Sequence, residues 1–99
     1  MLENLLKTIR EFRDERGWRK YHNPKDLAIS ICIEASELLE IFQWESDPYK
    51  VCEEKSEQVR EELADVMIYC LSLADVLGIN PEEAIIEKIE KNRRKYPVK

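Results

Sequence analysis

In the stretch Leu27-Ala-Ile-Ser-Ile31-Cys-Ile-Glu34-Ala-Ser-Glu37-Leu38-Leu-Glu-Ile41, the positions a packed helix would bury are Leu27, Ile31, Glu34, Leu38 and Ile41. That spacing is the seam of an amphipathic helix, and one member of the seam is an acid. A second stretch repeats the pattern through Val59, Glu62, Val66, Tyr69, Leu73 and Val76, with Glu62 as the acid. Glu37 and Asp65 each follow three residues after the seam acid. They therefore lie about 60° round the helix and roughly 4.5 Å further along it. Four carboxylates directed toward a helix interface repel one another and resist leaving water. A divalent cation resolves that cost, so the same stretches that predict packed helices also predict a metal site.

Composition agrees with a helical reading. The chain has 99 residues, enough for one domain spanning 1–99, with only two glycines and four prolines. Leu, Ile, Glu, Lys and Ala abound, which favours an all-α protein. A net charge of −5 argues against nucleic acid as a partner bound through its backbone. The N-terminal Met-Leu-Glu-Asn carries no apolar leader pattern, and no run approaches the roughly 18 apolar residues of a membrane span. A cytoplasmic protein that does not associate with membranes is the expectation. The three cysteines, Cys32, Cys52 and Cys70, lack CxxC spacing. Cys32 and Cys70 fall in helices rich in Ile, Leu and Val, and read as small buried hydrophobes.

Taken in order, residues 2–16 carry Leu2, Leu5, Leu6, Ile9, Phe12 and Arg13 and predict a first helix that Gly17 ends. An aromatic and basic connector follows: Trp18, Arg19, Lys20, Tyr21 and His22. Such rings can plug a bundle where the connector crosses it, or form a platform with donors for a planar polar ligand. Asn23-Pro24 caps and starts a second helix, expected to run to about Trp44. Asp47-Pro48 opens a short, charged turn or helix reaching about Lys55. Ser56 is placed to cap the next helix, which continues to Leu77 before Gly78. From Leu63 to Leu77 only Asp65, Ser72 and Asp75 are strongly polar. A helix apolar on most sides needs cover that four or five short helices hardly supply, so a tight homo-oligomer, most simply a dimer, is expected. Asn80-Pro81, with Glu83 placed for a capping box, starts the last helix. That helix ends in a basic run including Lys88, Lys91, Arg93, Arg94 and Lys95. The run suits a helix C-terminus electrostatically, and it also suits a phosphate-binding edge.

The acids define their own chemistry. Oxygen ligands without histidine or thiolate indicate Mg²⁺ or Mn²⁺ rather than zinc. Carboxylate di-iron bundles also use inward acids, but they require Glu-x-x-His motifs, and His22 is the one histidine and lies in no such motif. Glu40 extends the series by another three residues, drifting round the helix toward solvent or a second ion.

Glu34-x-x-Glu37, a spacer of 24 residues and Glu62-x-x-Asp65 resemble the motif of the all-α nucleoside triphosphate pyrophosphohydrolases of the MazG type. The similarity extends to the branch containing dCTP pyrophosphatases through Trp18-x-x-Tyr21-His22-x-Pro24 and Phe42-Gln43-Trp44. It continues through Glu62-Leu-Ala-Asp65-Val-x-Ile-Tyr69 and Lys88-Ile-x-x-Asn92-Arg-Arg-Lys-Tyr96-Pro97. Nearly the whole chain is covered, in order. The resemblance implies a four-to-five-helix bundle, dimeric or tetrameric, hydrolysing a nucleoside triphosphate to its monophosphate and pyrophosphate with Mg²⁺, Mn²⁺ being an alternative ion. It implies that Glu34, Glu37, Glu62 and Asp65 are the catalytic metal-holding acids. By the same resemblance Trp18 to His22, Trp44 and Tyr69 line the base and sugar pocket, while Lys88, Asn92 and Lys95 face the phosphates. That branch often has Phe where Tyr21 stands, and Gly or Val where Ala35 and Ser36 stand; none of these is a metal-ligand position. The competing expectation is a helical module that binds nucleotide without turnover, or that only oligomerises.

Overall fold

A computed structural model describes residues 2–98. Its five α-helices are α1 (Leu2–Glu15), α2 (Pro24–Phe42), α3 (Pro48–Glu54), α4 (Ser56–Val76) and α5 (Pro81–Lys95), with a 3₁₀ turn at Trp18–Tyr21 between α1 and α2. Among the described residues there is no strand, and no helix is long and apolar enough to cross a membrane.

The boundaries follow from local chemistry. Gly17 takes φ 65° after α1, a left-handed conformation that costs glycine little. Asn23 accepts a hydrogen bond from the Asp26 amide at 2.9 Å, which satisfies one free donor of the first turn while Pro24 occupies N1. Asn80 does the same for α5, accepting from the Glu83 amide at 3.1 Å. Two boundaries differ from expectation. α2 stops at Phe42 rather than near Trp44, because Gln43 is already extended at φ −60° and ψ 135°, and Trp44 follows it at φ 69°. Ser56 does not cap α4: it is the first residue inside the helix, and Lys55 holds the capping position without a side-chain bond. The Val59 amide instead donates to the Lys55 carbonyl at 2.9 Å, and the Lys55 amide to Val51 at 2.8 Å, so backbone alone links α3 to α4.

The principal packing is α2 against α4, with α1 laid on α4 and α3 bridging α2 and α4. Leu27 and Ile41 from the α2 seam are buried, as are Ile9 of α1 and Val51 of α3. Ile31, Glu34 and Leu38 of that seam, with Val59, Glu62, Val66, Tyr69 and Leu73 of the other, are half-buried. The two stripes therefore meet, and each carries its acid into the contact.

Much apolar surface stays outside. Leu63, Met67 and Ile68 on α4 are exposed, and so are Ile85, Ile86 and Ile89 on α5. The radius of gyration is 16.3 Å, against about 13 Å for a compact chain of this length. Cys32 and Cys70 are likewise exposed rather than buried, and Cys52 is half-buried. Their helices bury only the stripes that face each other, leaving the opposite faces, cysteines included, uncovered by the rest of the chain.

Candidate metal centre and adjoining pocket

Pairing α2 with α4 brings Glu34, Glu62 and Asp65 together, with one carboxylate oxygen from each lying within 4.8 Å of the others. Glu34 Oε2 and Glu62 Oε2 are buried and have no hydrogen-bond partner among the described residues. The ion pairs of the described chain run between Arg10 or Arg13 and Asp75, Arg13 and Asp14, Arg16 and Glu15, Lys50 and Glu54, Arg60 and Glu57, and Arg93 and Glu90. None of them involves the clustered acids. Burial pushes the Glu34 and Glu62 carboxyls above the ordinary range, and the neighbouring acids Glu37 and Asp65 push both further. A set of hard oxygens, partly dry, mutually repelling and without a protein cation, fits a divalent ion of the Mg²⁺ or Mn²⁺ kind. Glu37 is exposed and borders Glu34 and Glu62 closely enough to raise both, but it stands outside the trio. Glu40 is exposed as well.

Asp65 also belongs to a second feature. It lines an apolar cavity of about 230 Å³ whose walls include Phe12, Arg13, Trp18, His22, Tyr69 and Ser72. The Trp18 ring meets Phe12 edge-on at 5.5 Å and stands 6.4 Å from His22, which is 6.4 Å from Tyr69. The 3₁₀ turn is what places Trp18 and His22 there. Burial lowers the His22 pKa and the Arg13 charge lowers it further, so its imidazole is neutral at physiological pH. Burial raises the Tyr69 phenol, as do the charges of Glu34, Asp65 and Glu37, which puts that ring beside the acids. The aromatic pocket and the carboxylate cluster thus adjoin through Asp65, which belongs to both.

Other residues singled out from sequence lie elsewhere on the single chain. Arg19 lines a neighbouring cavity with Arg13, His22 and Asp75. Lys20 and Tyr21 are exposed, the Lys20 ammonium lying 5.1 Å from the Tyr21 ring. Trp44 is 92% exposed, and Lys88, Asn92 and Lys95 are exposed on α5. Conversely, Phe12, Arg13 and Ser72 line the pocket without having been selected as site residues. Arg13 follows Ile9 by four positions and Ser72 interrupts the α4 apolar run. Both are polar residues at core positions, the signal that drew attention to Glu34 and Glu62.

Fold and site together define an all-α protein with an acidic cluster, a candidate cation site, beside an aromatic pocket. Residues 29–99 match the model of the MazG-like family, and the chain belongs to that family. It is 37% identical over 98% of its length to dCTP pyrophosphatase 1 of Mus musculus, and 35% identical over 97% to that of Homo sapiens. The chain spans 59% of the length of these two relatives. The crystal structure of a pyrophosphatase from Archaeoglobus fulgidus superposes with a TM-score of 0.94 at 57% identity, covering 98% of this chain and 93% of that one.

Proposed function

We propose that this chain is a nucleoside triphosphate pyrophosphohydrolase, converting a (deoxy)nucleoside triphosphate and water into the monophosphate and pyrophosphate. The observation that carries the reading is the trio Glu34, Glu62 and Asp65, gathered without a cation partner and sharing Asp65 with an aromatic pocket. The naming of related chains as dCTP pyrophosphatases and of a structural neighbour as a pyrophosphatase supports it. dCTP or a modified pyrimidine nucleotide is the substrate proposed, and clearing such nucleotides from the cytoplasmic pool is the role.

The residues divide the work. Trp18, His22 and Tyr69 take the base and sugar in the pocket, which points the phosphate chain past Asp65 toward the acids. Glu34, Glu62 and Asp65, with Glu37 beside them, hold the ion. Bound there, Mg²⁺ or Mn²⁺ neutralises phosphate oxygens and favours ionisation of water. Glu37, exposed and bordering the trio, orients the water that attacks the α-phosphorus and takes its proton, while pyrophosphate leaves.

The reading includes a homodimer or homotetramer. Lys88, Asn92 and Lys95 project from a helix whose isoleucines are exposed. Burying that apolar face against a second copy gives those side chains, with Trp44, Arg19, Lys20 and Tyr21, a route to a neighbouring site as phosphate or base contacts.

The test is incubation of the full chain with canonical and modified nucleoside triphosphates, with and without Mg²⁺, followed by chromatographic separation of products. Monophosphate plus pyrophosphate, formed only with the ion, is expected. Diphosphate plus phosphate would leave a hydrolase of another specificity, and binding without product would leave a nucleotide-binding module.

A further inference from the structure

Behind the aromatic rings, the inner wall of the pocket is closed by a charged residue that the reaction described above does not use. Arg13 is 5% exposed and lines the pocket together with His22 and Ser72. Its Nη2 reaches Asp75 Oδ2 at 3.4 Å, a long hydrogen bond. The same carboxylate is already held by the exposed Arg10, whose Nε donates to Asp75 Oδ1 at 2.8 Å. Arg13 Nε is buried with no hydrogen-bond partner among the described residues, and lies 3.7 Å from Asp14 Oδ1. His22 Nδ1 is buried and unpartnered in the same way. Asp75 is thus shared between Arg10 and Arg13, and Arg13 lies against an apolar pocket with its hydrogen-bonding capacity only partly used.

A guanidinium has five N–H donors and no acceptor, so its complement must offer an acceptor. The Ser72 hydroxyl donates to the Ile68 carbonyl at 2.8 Å, and the one carboxylate in the pocket wall, Asp65, belongs to the acid cluster. At about 230 Å³ the cavity is below the roughly 300 Å³ at which sites for larger ligands begin. It suits a single ring better than a fused pair. We propose that Arg13, held in place by Asp75, is the specificity-determining residue of this pocket and selects a pyrimidine by donating to its ring carbonyl oxygen. This rests on the reading of the pocket as the base site and adds the group that chooses the base.

The experiment measures equilibrium binding of free nucleosides to the full chain, without metal or triphosphate, by quenching of tryptophan fluorescence and by NMR. The probes are deoxycytidine, deoxyuridine and the deoxyribosyl C-nucleoside of phenyl, a ring of similar outline lacking any acceptor. Wild type is expected to bind both pyrimidines at least about tenfold more tightly than the phenyl analogue, the range of one hydrogen bond to a charged donor. Arg13→Met is expected to erase that discrimination while keeping the phenyl affinity. Arg10→Gln removes the shorter bond to Asp75 but touches no pocket wall, and is expected to keep it. Retained discrimination in Arg13→Met, or equal loss in Arg10→Gln, would overturn the assignment while leaving the base site standing. Failure of wild type to bind any nucleoside would overturn both the assignment and the base-site reading, and triphosphate turnover decides the reaction separately.

Discussion

At the scale of single residues, the site is made by side chains placed where local packing would have chosen something else. Glu34, Glu62, Arg13 and Ser72 occupy positions in or beside apolar seams, and each is half-buried or buried. Desolvating such groups is unfavourable unless a partner is supplied, so a cluster of them marks function more than stability. His22 shows the consequence for pH. Its pKa lies below the ordinary 6.5, because burial and the Arg13 charge disfavour the imidazolium. Between the folded value and 6.5 the unfolded chain binds more protons, so stability rises with pH across that window. The contribution is complete above about 6.5 and is lost as pH falls through the folded value. Thermal melts over that range should show a fall toward acid in wild type that is shallower in His22→Gln; parallel curves would contradict the burial argument. The acids were legible in the sequence because two of them broke strict helical periodicity. Arg13 was harder to recognise because arginine is common on the polar face of an amphipathic helix, and only the path of the 3₁₀ turn shows that it borders a pocket.

At the scale of elements, the helices were legible in periodicity and in Asn-Pro starts, and the errors fell where backbone conformation overrode side-chain preference. The chain leaves α2 at an extended Gln43 ahead of a left-handed Trp44, which nothing in Phe42-Gln43-Trp44 announces. Ser56 was a capping candidate by residue type, yet α3 feeds α4 through backbone hydrogen bonds, so no side-chain cap forms. The element with most left to explain is α5. Its start is well capped, but past Pro81 every residue is exposed, with Ile85 60% and Ile86 56% accessible. A helix of this length is marginal alone in water, and fully burying each isoleucine contributes about 1.5–3 kcal/mol. The account expects Ile86→Glu to lower the mass seen by analytical ultracentrifugation toward that of one chain. Activity should fall by at least about tenfold, with the helical circular dichroism signal largely kept. Unchanged mass would mean that α5 is not part of the contact between copies.

At the scale of the whole molecule, the one-chain fold holds more function than its hydrophobic core would suggest. Four buried apolar residues among the described ones make a thin centre for a chain of this length, and the sequence indicated as much through an α4 apolar on most sides. What it did not show is which surfaces of a single chain are left open, because exposure depends on tertiary packing and not on periodicity. Charge argues at the same scale. A chain of net charge −5 does not draw in a polyanionic triphosphate by its overall field. On the proposed function, approach of such a substrate to Glu34, Glu62 and Asp65 therefore depends on a cation held there. The most direct measurement of that claim is Mn²⁺ binding to the chelator-treated full chain at neutral pH, followed by loss of the free-ion electron paramagnetic resonance signal. Wild type should bind the ion saturably, and Glu62→Gln should weaken it by at least about tenfold, a loss that even an outer-sphere partner commonly causes. Equal binding by the two proteins, or none by wild type, would contradict the assignment of these acids as the metal centre.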